Sequence, residues 1–376
     1  MFQRTIFALF ALLVVAPGAH SATPSKDLRI VAVDVEGGAA VLFVTPEGKS
    51  LLIDTGWPPG IGGPRPAPGA PPPPPMPSSA DRIAAAAASL GVTRINYLLM
   101  THYHIDHIGG LESLLAKLPV DAFIDHGPNR EELPANASPM QRAFAPATAY
   151  PHWVAAYQGH EHITAHVGQK LDIGSLHLLF VTSDGNVLPA PLPGAGQPNS
   201  FCAGVPQKDN NGGEENVRSL GMLITFGKTR ILYLGDLTWN KEMELLCPVN
   251  KIGKVDVYFV TGHGMNLSSS PPTAALEPLV AVMQNGPRKG GDEAVIKTVD
   301  SYQGLEGFWR LHYSVRYPDL NGDPNYIANL DGVPDQGNAI GLDITRKGSI
   351  TVTNDRNHFS KTYNARGASA HASGGA

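Results

Sequence analysis

The chain has 376 residues, 42% of them apolar, and a formal net charge of −5. That apolar content supplies a core for one large domain or two small ones. The acidic balance excludes an overall electrostatic attraction to long polynucleotides.

At the start, Arg4 precedes an unbroken apolar run over residues 6–15 and the small-residue stretch over residues 19–22. This is the pattern of a secretory signal, and ten apolar residues are too few to span a bilayer. Residues 1–22 are therefore expected to be removed and the mature protein to be periplasmic or secreted. No later run is long enough for a membrane span. Cys202 and Cys247 are the two cysteines; in an oxidising compartment they either pair or stay as buried thiols, and the sequence leaves both open.

Residues 28–55 read as three antiparallel strands, LRIVAVDV, AAVLFVTP and KSLLIDTG, separated by the turn signals GG and EGK. Residues 56–80 form a proline-rich insertion that cannot enter a sheet and serves as a spacer or as a flap beside a site. Ser79 is expected to cap a helix from about Asp81 to Leu90, closed by Gly91. The buried strand INYLLM then runs into THYHIDHIGG. The stretch LESLLAKL reads as a helix and VDAFIDHG as a strand. Residues 183–217 are loop-rich. SLGMLITFGKTRILYLGD follows as a hairpin ending on Asp236, and then come helix KEMELL, strand VDVYFVTGHG, the segment AALEPLVAVM and a hairpin GLDITRKGSITVT. The tail, residues 365–376, reads as disordered. Two mixed sheets covered outside by helices are the expected solution, an α/β (α+β) four-layer αββα sandwich over residues 28–358.

His102, His104, Asp106 and His107 place four metal-ligand side chains within six residues at a strand-to-helix junction. Alternation along a strand end turns His102 and His104 to one side, and the turn brings Asp106 and His107 toward the same cavity. Imidazole with carboxylate suits zinc, iron or manganese, and the absence of thiolate is unlike a closed structural zinc site. Asp236 ends an apolar strand, where a carboxylate buried without a cation is costly. His263 lies between two glycines, where backbone approaches closely.

HYHIDH followed by two glycines resembles the HxHxDHxGG signature of the metallo-β-lactamase superfamily. The resemblance implies two metals: His102 and His104 on one, Asp106, His107 and His263 on the other, and Asp236 bridging them. It implies that Asp54 of LLIDTG supports the ligands from behind. The family's usual further histidine ahead of the bridging aspartate has no counterpart; Glu214, Glu215 and Asn216 stand there instead. In that respect the segment ENVRSLGMLITFGKTRILYLGD resembles the branch typified by DNA-uptake (competence) proteins, which implies Asn216 as a weak ligand with Ser219 nearby. His160, His162 and His166 are the alternative source of the missing ligand. A fainter likeness to a calcium loop, Asp319, Asn321, Asp323 and Asn325, carries Pro324 and Leu330 where glycine and glutamate are required, so it reads as an ordinary loop.

Two adjacent cations lower the pKa of a water held between them and polarise a carbonyl or phosphoryl oxygen. The expected activity is therefore metal-dependent hydrolysis with Asp106 as the catalytic residue orienting hydroxide, two divalent ions as cofactors, and a nucleotide or short oligonucleotide phosphodiester as substrate. A lactone or β-lactam is the alternative substrate, and a non-catalytic metal-binding protein on the same fold is the rival class. No protein partner is implied.

Overall fold

The computed structural model describes residues 25–61, 76–208, 213–332 and 336–367. The expected signal segment, most of the proline-rich insertion and residues 368–376 of the tail lie outside these.

The first sheet begins with β1 (Leu28–Ala32), β2 (Val41–Val44) and β3 (Ser50–Ile53), paired antiparallel as the sequence suggests. Helix α1 (Ser79–Ser89) then crosses to β4 (Ile95–Leu99), parallel to β3. The short helices α2 (Ile105–Ile108) and α3 (Leu111–Leu115) lead to β5 (Val120–Asp125). Helices α4 (Pro139–Phe144) and α5 (Pro146–Tyr157) precede β6 (Glu161–Thr164), and β4, β5 and β6 are parallel.

The second sheet contains β7 (Lys170–Ile173), β8 (Leu176–Ser183), β9 (Asn186–Val187), β10 (Gly221–Phe226) and β11 (Thr229–Tyr233), reached through helix α6 (Gly213–Val217). After α7 (Trp239–Leu246) come β12 (Val257–Phe259), β13 (Val280–Met283), α8 (Glu293–Asp300), β14 (Gly307–His312) and β15 (Ile327–Asn329), with β11 to β15 all parallel. The chain finally returns to the first sheet as β16 (Ile340–Ile344), β17 (Ser349–Asn354) and β18 (Ser360–Asn364), beside β1. Strand β18 was not among the expected elements, and it carries the sheet past residue 358.

Three apolar cores define four layers. The central one joins the facing sides of both sheets, with Ile30, Phe43 and Ile53 from the first against Phe180, Phe226 and Trp309 from the second. A second lies between the first sheet and its helices, with Ile83, Leu114 and Trp153 packed on Leu52 and Leu98. A third lies between the second sheet and α7 and α8, where Leu245 and Ile296 cover Leu232 and Tyr258. Covering on both sides is why VLFV of β2 and SLLI of β3 are buried at every position rather than alternating. The αββα sandwich is thus the fold of this chain.

Two local expectations change. The cap of α1 is Ser78, not Ser79: its hydroxyl accepts from Asp81 N at 3.2 Å while Asp81 Oδ2 accepts from Ser78 N at 3.0 Å. That reciprocal pair needs a three-residue spacing, which Ser79 does not have to Asp81. Cys202 and Cys247, left open above, form a disulfide, a crosslink that persists in oxidising compartments. No helix among the described residues is long and apolar enough to cross a membrane.

Candidate metal centre

The parallel strands of both sheets end on one side of the sandwich, and the loops leaving them carry the chemistry, as is usual for open sheets with parallel strands. Asp54 follows β3, the histidine run follows β4, Asp236 follows β11 and His263 follows β12. Strand β4 stops at Leu99, so His102 and His104 sit in the irregular segment beyond it rather than alternating on the strand. They converge all the same, with His102 Nε2 2.9 Å from His104 Nδ1.

Asp106 and His107 lie on α2, whose short length turns both inward, and both are buried. His107 Nε2 is 3.1 Å from His263 Nε2, 3.4 Å from Asp106 Oδ2 and 3.4 Å from Asp236 Oδ1. His263 Nε2 lies 3.2 Å from Asp106 Oδ2 and 3.3 Å from Asp236 Oδ1. One donor atom from each of Asp106, His107, Asp236 and His263 falls within 4.8 Å of all the others.

The tautomers follow from the outer partners. His107 Nδ1 is 2.8 Å from Asp54 Oδ2, and His263 Nδ1 is 3.0 Å from the Gln284 carbonyl. Both partners only accept, so each Nδ1 carries the proton. In the neutral rings the two Nε2 atoms then present lone pairs to one another, which a shared cation between them resolves. Asp54 is itself fixed, accepting from Thr101 N and Thr101 Oγ at 2.8 Å each. It adopts a left-handed φ of 61°, a conformation that costs free energy in a non-glycine residue and often marks a functional position. The donor set of two imidazoles and two carboxylates fits a divalent transition metal.

Charge balance within the cluster points the same way. Burial alone raises the Asp236 carboxyl, but His263 and His107 hold it well below the usual carboxylate range. Burial likewise opposes protonation of His107, yet Asp236, Asp106 and Asp54 raise its imidazole well above the ordinary value. His102 is pushed well below it by burial and by His107 and His104, which outweigh the opposing pull of Asp236 and Asp106. Asp236 is therefore held ionised by its histidine neighbours.

Asn216 and Ser219 belong to the segment that grips the histidine loop. Leu220 N donates to Thr101 O at 2.8 Å, and Glu215 accepts from Tyr103 N, between the two histidines, at 3.0 Å. Asn216 is 5% exposed, and its Oδ1 has no hydrogen-bond partner; the Ser219 hydroxyl is similarly orphaned. A buried acceptor left unpaired costs about 1–3 kcal/mol.

The alternative histidines are engaged elsewhere. His162 contacts Asp125 Oδ2 at 2.8 Å and stacks on Tyr157, His160 packs edge-on against Phe123, and His166 occupies a turn after β6. Residues 319–325 form two short turns in which Asp323 accepts from Asn325 N and Asn321 braces Ser314.

Two residues that sequence reasoning missed reach the centre. Glu131 Oε2 is 3.6 Å from His104 Nε2. The Lys289 ammonium donates to Asp106 Oδ2 and, at 2.8 Å, to the Gly37 carbonyl, with the Trp57 ring 5.1 Å away. The run PRKGGD offered a signal, since glycines beside a cation often shape a binding loop. Gly290 lies against His263 and Gly291 N donates to the His263 carbonyl at 3.1 Å, both glycines in left-handed conformations.

Residues 34–185 match the family model of the metallo-β-lactamase superfamily. A curated relative, the hydroxyacylglutathione hydrolase of Alkalilimnicola ehrlichii, is 38% identical over 66 residues, 18% of this chain and 24% of that protein. The chain thus spans about a quarter of the length of the curated relative it matches. Among solved structures, the metallo-β-lactamase fold protein YhfI of Bacillus subtilis is 13% identical over 76% of this chain and 96% of its own, with a TM-score of 0.41. CmlA, a diiron β-hydroxylase from Streptomyces venezuelae, is 17% identical over 78% and 54%, with a TM-score of 0.40.

Proposed function

We propose that this protein is a metal-dependent hydrolase of phosphodiesters, acting on a nucleotide or short oligonucleotide, a reading in keeping with the match of residues 34–185 to the metallo-β-lactamase superfamily model. The observation that carries the reading is the convergence of Asp106, His107, Asp236 and His263 within 4.8 Å, with the Lys289 ammonium on the Asp106 carboxylate. In this reading His107, His263, Asp106 and Asp236 hold one divalent ion, and His102, His104, Asp236 and Asn216 hold a second, zinc or manganese being the favoured metals. Such ions supply Lewis acidity and a nucleophile drawn from water at neutral pH.

The chain's own groups do the rest. Asp54 keeps the His107 proton on Nδ1 and so aims Nε2 inward, as the Gln284 carbonyl does for His263. Asp106 presents a second carboxylate for orienting the attacking water. Lys289, ion-paired with Asp106 and held by the Gly37 carbonyl, lies at the edge of the centre, where an anionic phosphodiester would compete for its ammonium and a neutral ring would not. The matched relative acts, by its name, on hydroxyacylglutathione, but over 66 shared residues the likeness does not extend to substrate selection.

Dialysis against a chelator is expected to abolish hydrolysis of bis(p-nitrophenyl) phosphate, and zinc or manganese to restore it, with lactone and β-lactam chromogens turned over poorly. Activity indifferent to the chelator in a protein free of metal by elemental analysis sinks the reading.

Lys289→Met is expected to lower kcat/KM for the phosphodiester by about 10 to 100-fold, the worth of one charge-assisted hydrogen bond of ~1.5–3 kcal/mol, chiefly through KM. Turnover of a neutral lactone, however slow, should change little, with metal content measured alongside. Equal losses on both substrates would mean that Lys289 serves the metal site and not the substrate.

A further inference from the structure

At the opposite end of the second sheet from the histidines is a cavity of about 650 Å³, within the range of roughly 300–1,000 Å³ typical of small-molecule sites. It opens where β11 begins, whereas Asp236 follows the other end of that strand. None of the metal-ligand candidates lines it.

Its charge is opposite to that of the chain. Lys228, Arg230, Lys254 and Arg366 line it against only Asp256 and Glu277, in a protein of net charge −5. The two carboxylates are already committed. Glu277 pairs with Lys254 at 2.6 Å, and Asp256 accepts the backbone N–H groups of Arg230 and Arg366 at 2.8 and 3.0 Å. Among the described residues, Lys228, Arg230 and Arg366 have no side-chain ion pair with a carboxylate. Arg230 places Nη2 on the Ile252 carbonyl at 2.7 Å, and Arg366 places Nη1 on the Val255 carbonyl at 3.0 Å. These bonds anchor both guanidinium planes without neutralising them.

Convergent unpaired cations repel one another and are a cost to the fold unless an anion joins them. Guanidinium groups present planar forks of N–H donors that match phosphate oxygens. Phe201, 39% exposed on the same wall, offers an aromatic surface to the body of a ligand, and Gln303 adds a hydrogen-bonding side chain.

We propose that this cavity is a second ligand site, separate from the metal centre, for a phosphate monoester carrying a planar ring, of nucleoside monophosphate size. Lys228, Arg230 and Arg366 bind the phosphate and Phe201 packs against the ring. The site does not depend on the metal centre being hydrolytic.

Isothermal titration of the full chain with adenosine 5′-monophosphate tests it, carried out with metal bound and again in the presence of chelator. One binding event should survive chelation, and it should weaken at least tenfold in Lys228→Ser/Arg366→Ser. Both positions are solvent-exposed, and the hydrolytic activity of the metal-loaded variant should equal the native value. Adenosine without its phosphate should bind at least tenfold more weakly. A chelator-resistant event of native affinity in the double variant, or no such event up to millimolar ligand in the native protein, overturns the proposal.

Discussion

Asp236→Asn is expected to leave the protein folded but depleted of metal, with phosphodiester turnover reduced by about three orders of magnitude. Asparagine has the same shape as aspartate, and the backbone there is set by β11 and by Leu237 N donating to Leu234 O at 3.1 Å, so the change is one of charge. The carboxylate lies 3.3 to 3.4 Å from both Nε2 atoms through Oδ1 and is 3% exposed. Its negative charge is what a buried divalent ion at this position requires. A neutral amide oxygen is a weaker ligand, and the site's net charge with metal bound becomes one unit more positive. Losing several kcal/mol of metal-derived stabilisation, roughly 4 kcal/mol, corresponds to about 10³ in rate. Elemental analysis and circular dichroism of the purified variant decide the matter. If metal content and turnover both stay near native, Asp236 is not a ligand and the site needs a different carboxylate.

Much of this arrangement can be read from the chain, because its signals are local. Four ligand-type side chains in six residues need no tertiary knowledge, and β1, β2, β3, β10 and β11 announce themselves by apolar runs ended with glycine turns. Other parts had no such signal. Helix α5 begins at Pro146 and contains Pro151, and proline inside a helix normally argues against one. Tertiary contact outweighs that here: Trp153 is fully buried and its indole N–H donates to Asp125 Oδ2 at 2.6 Å. Strand β6 reads EHIT and is at best half-buried at the sheet edge, so it lacks the alternation that marks a strand with one covered face. Lys289 meets Asp106 across 183 residues of sequence, and Glu131 meets His104 only because α6 binds both the histidine loop and the loop at 130–131. Contacts between loops that different strands bring to one end of a sandwich depend on the topology, which no local pattern encodes.

In the proposed two-metal reading Asn216 serves only one half of the centre, so its substitutions should tell the halves apart in solution. Sites with unequal donors bind metal unequally. His107, His263, Asp106 and Asp236 bring four candidate donor atoms within 4.8 Å of one another, whereas His102 and His104 offer two imidazoles and, as an ion site, would need a further ligand. Asn216 has the one buried side-chain oxygen in this segment, beside Ser219, that is left without a partner. An amide oxygen is a poorer zinc ligand than imidazole, so titration of metal-free native protein should resolve a tight and a weak site. Asn216→His should tighten the weak site by about 10 to 100-fold and Asn216→Ala should loosen it by a similar factor, with the tight site unmoved in both. His263→Ala should instead remove the tight site. The alanine variant also tests a purely structural role. It deletes an acceptor with no hydrogen bond to lose, so thermal stability of the metal-free protein should hold or rise while metal affinity falls. If both variants bind metal as the native protein does, the orphaned oxygen has some other partner and the His102–His104 pair binds its ion without help from this segment.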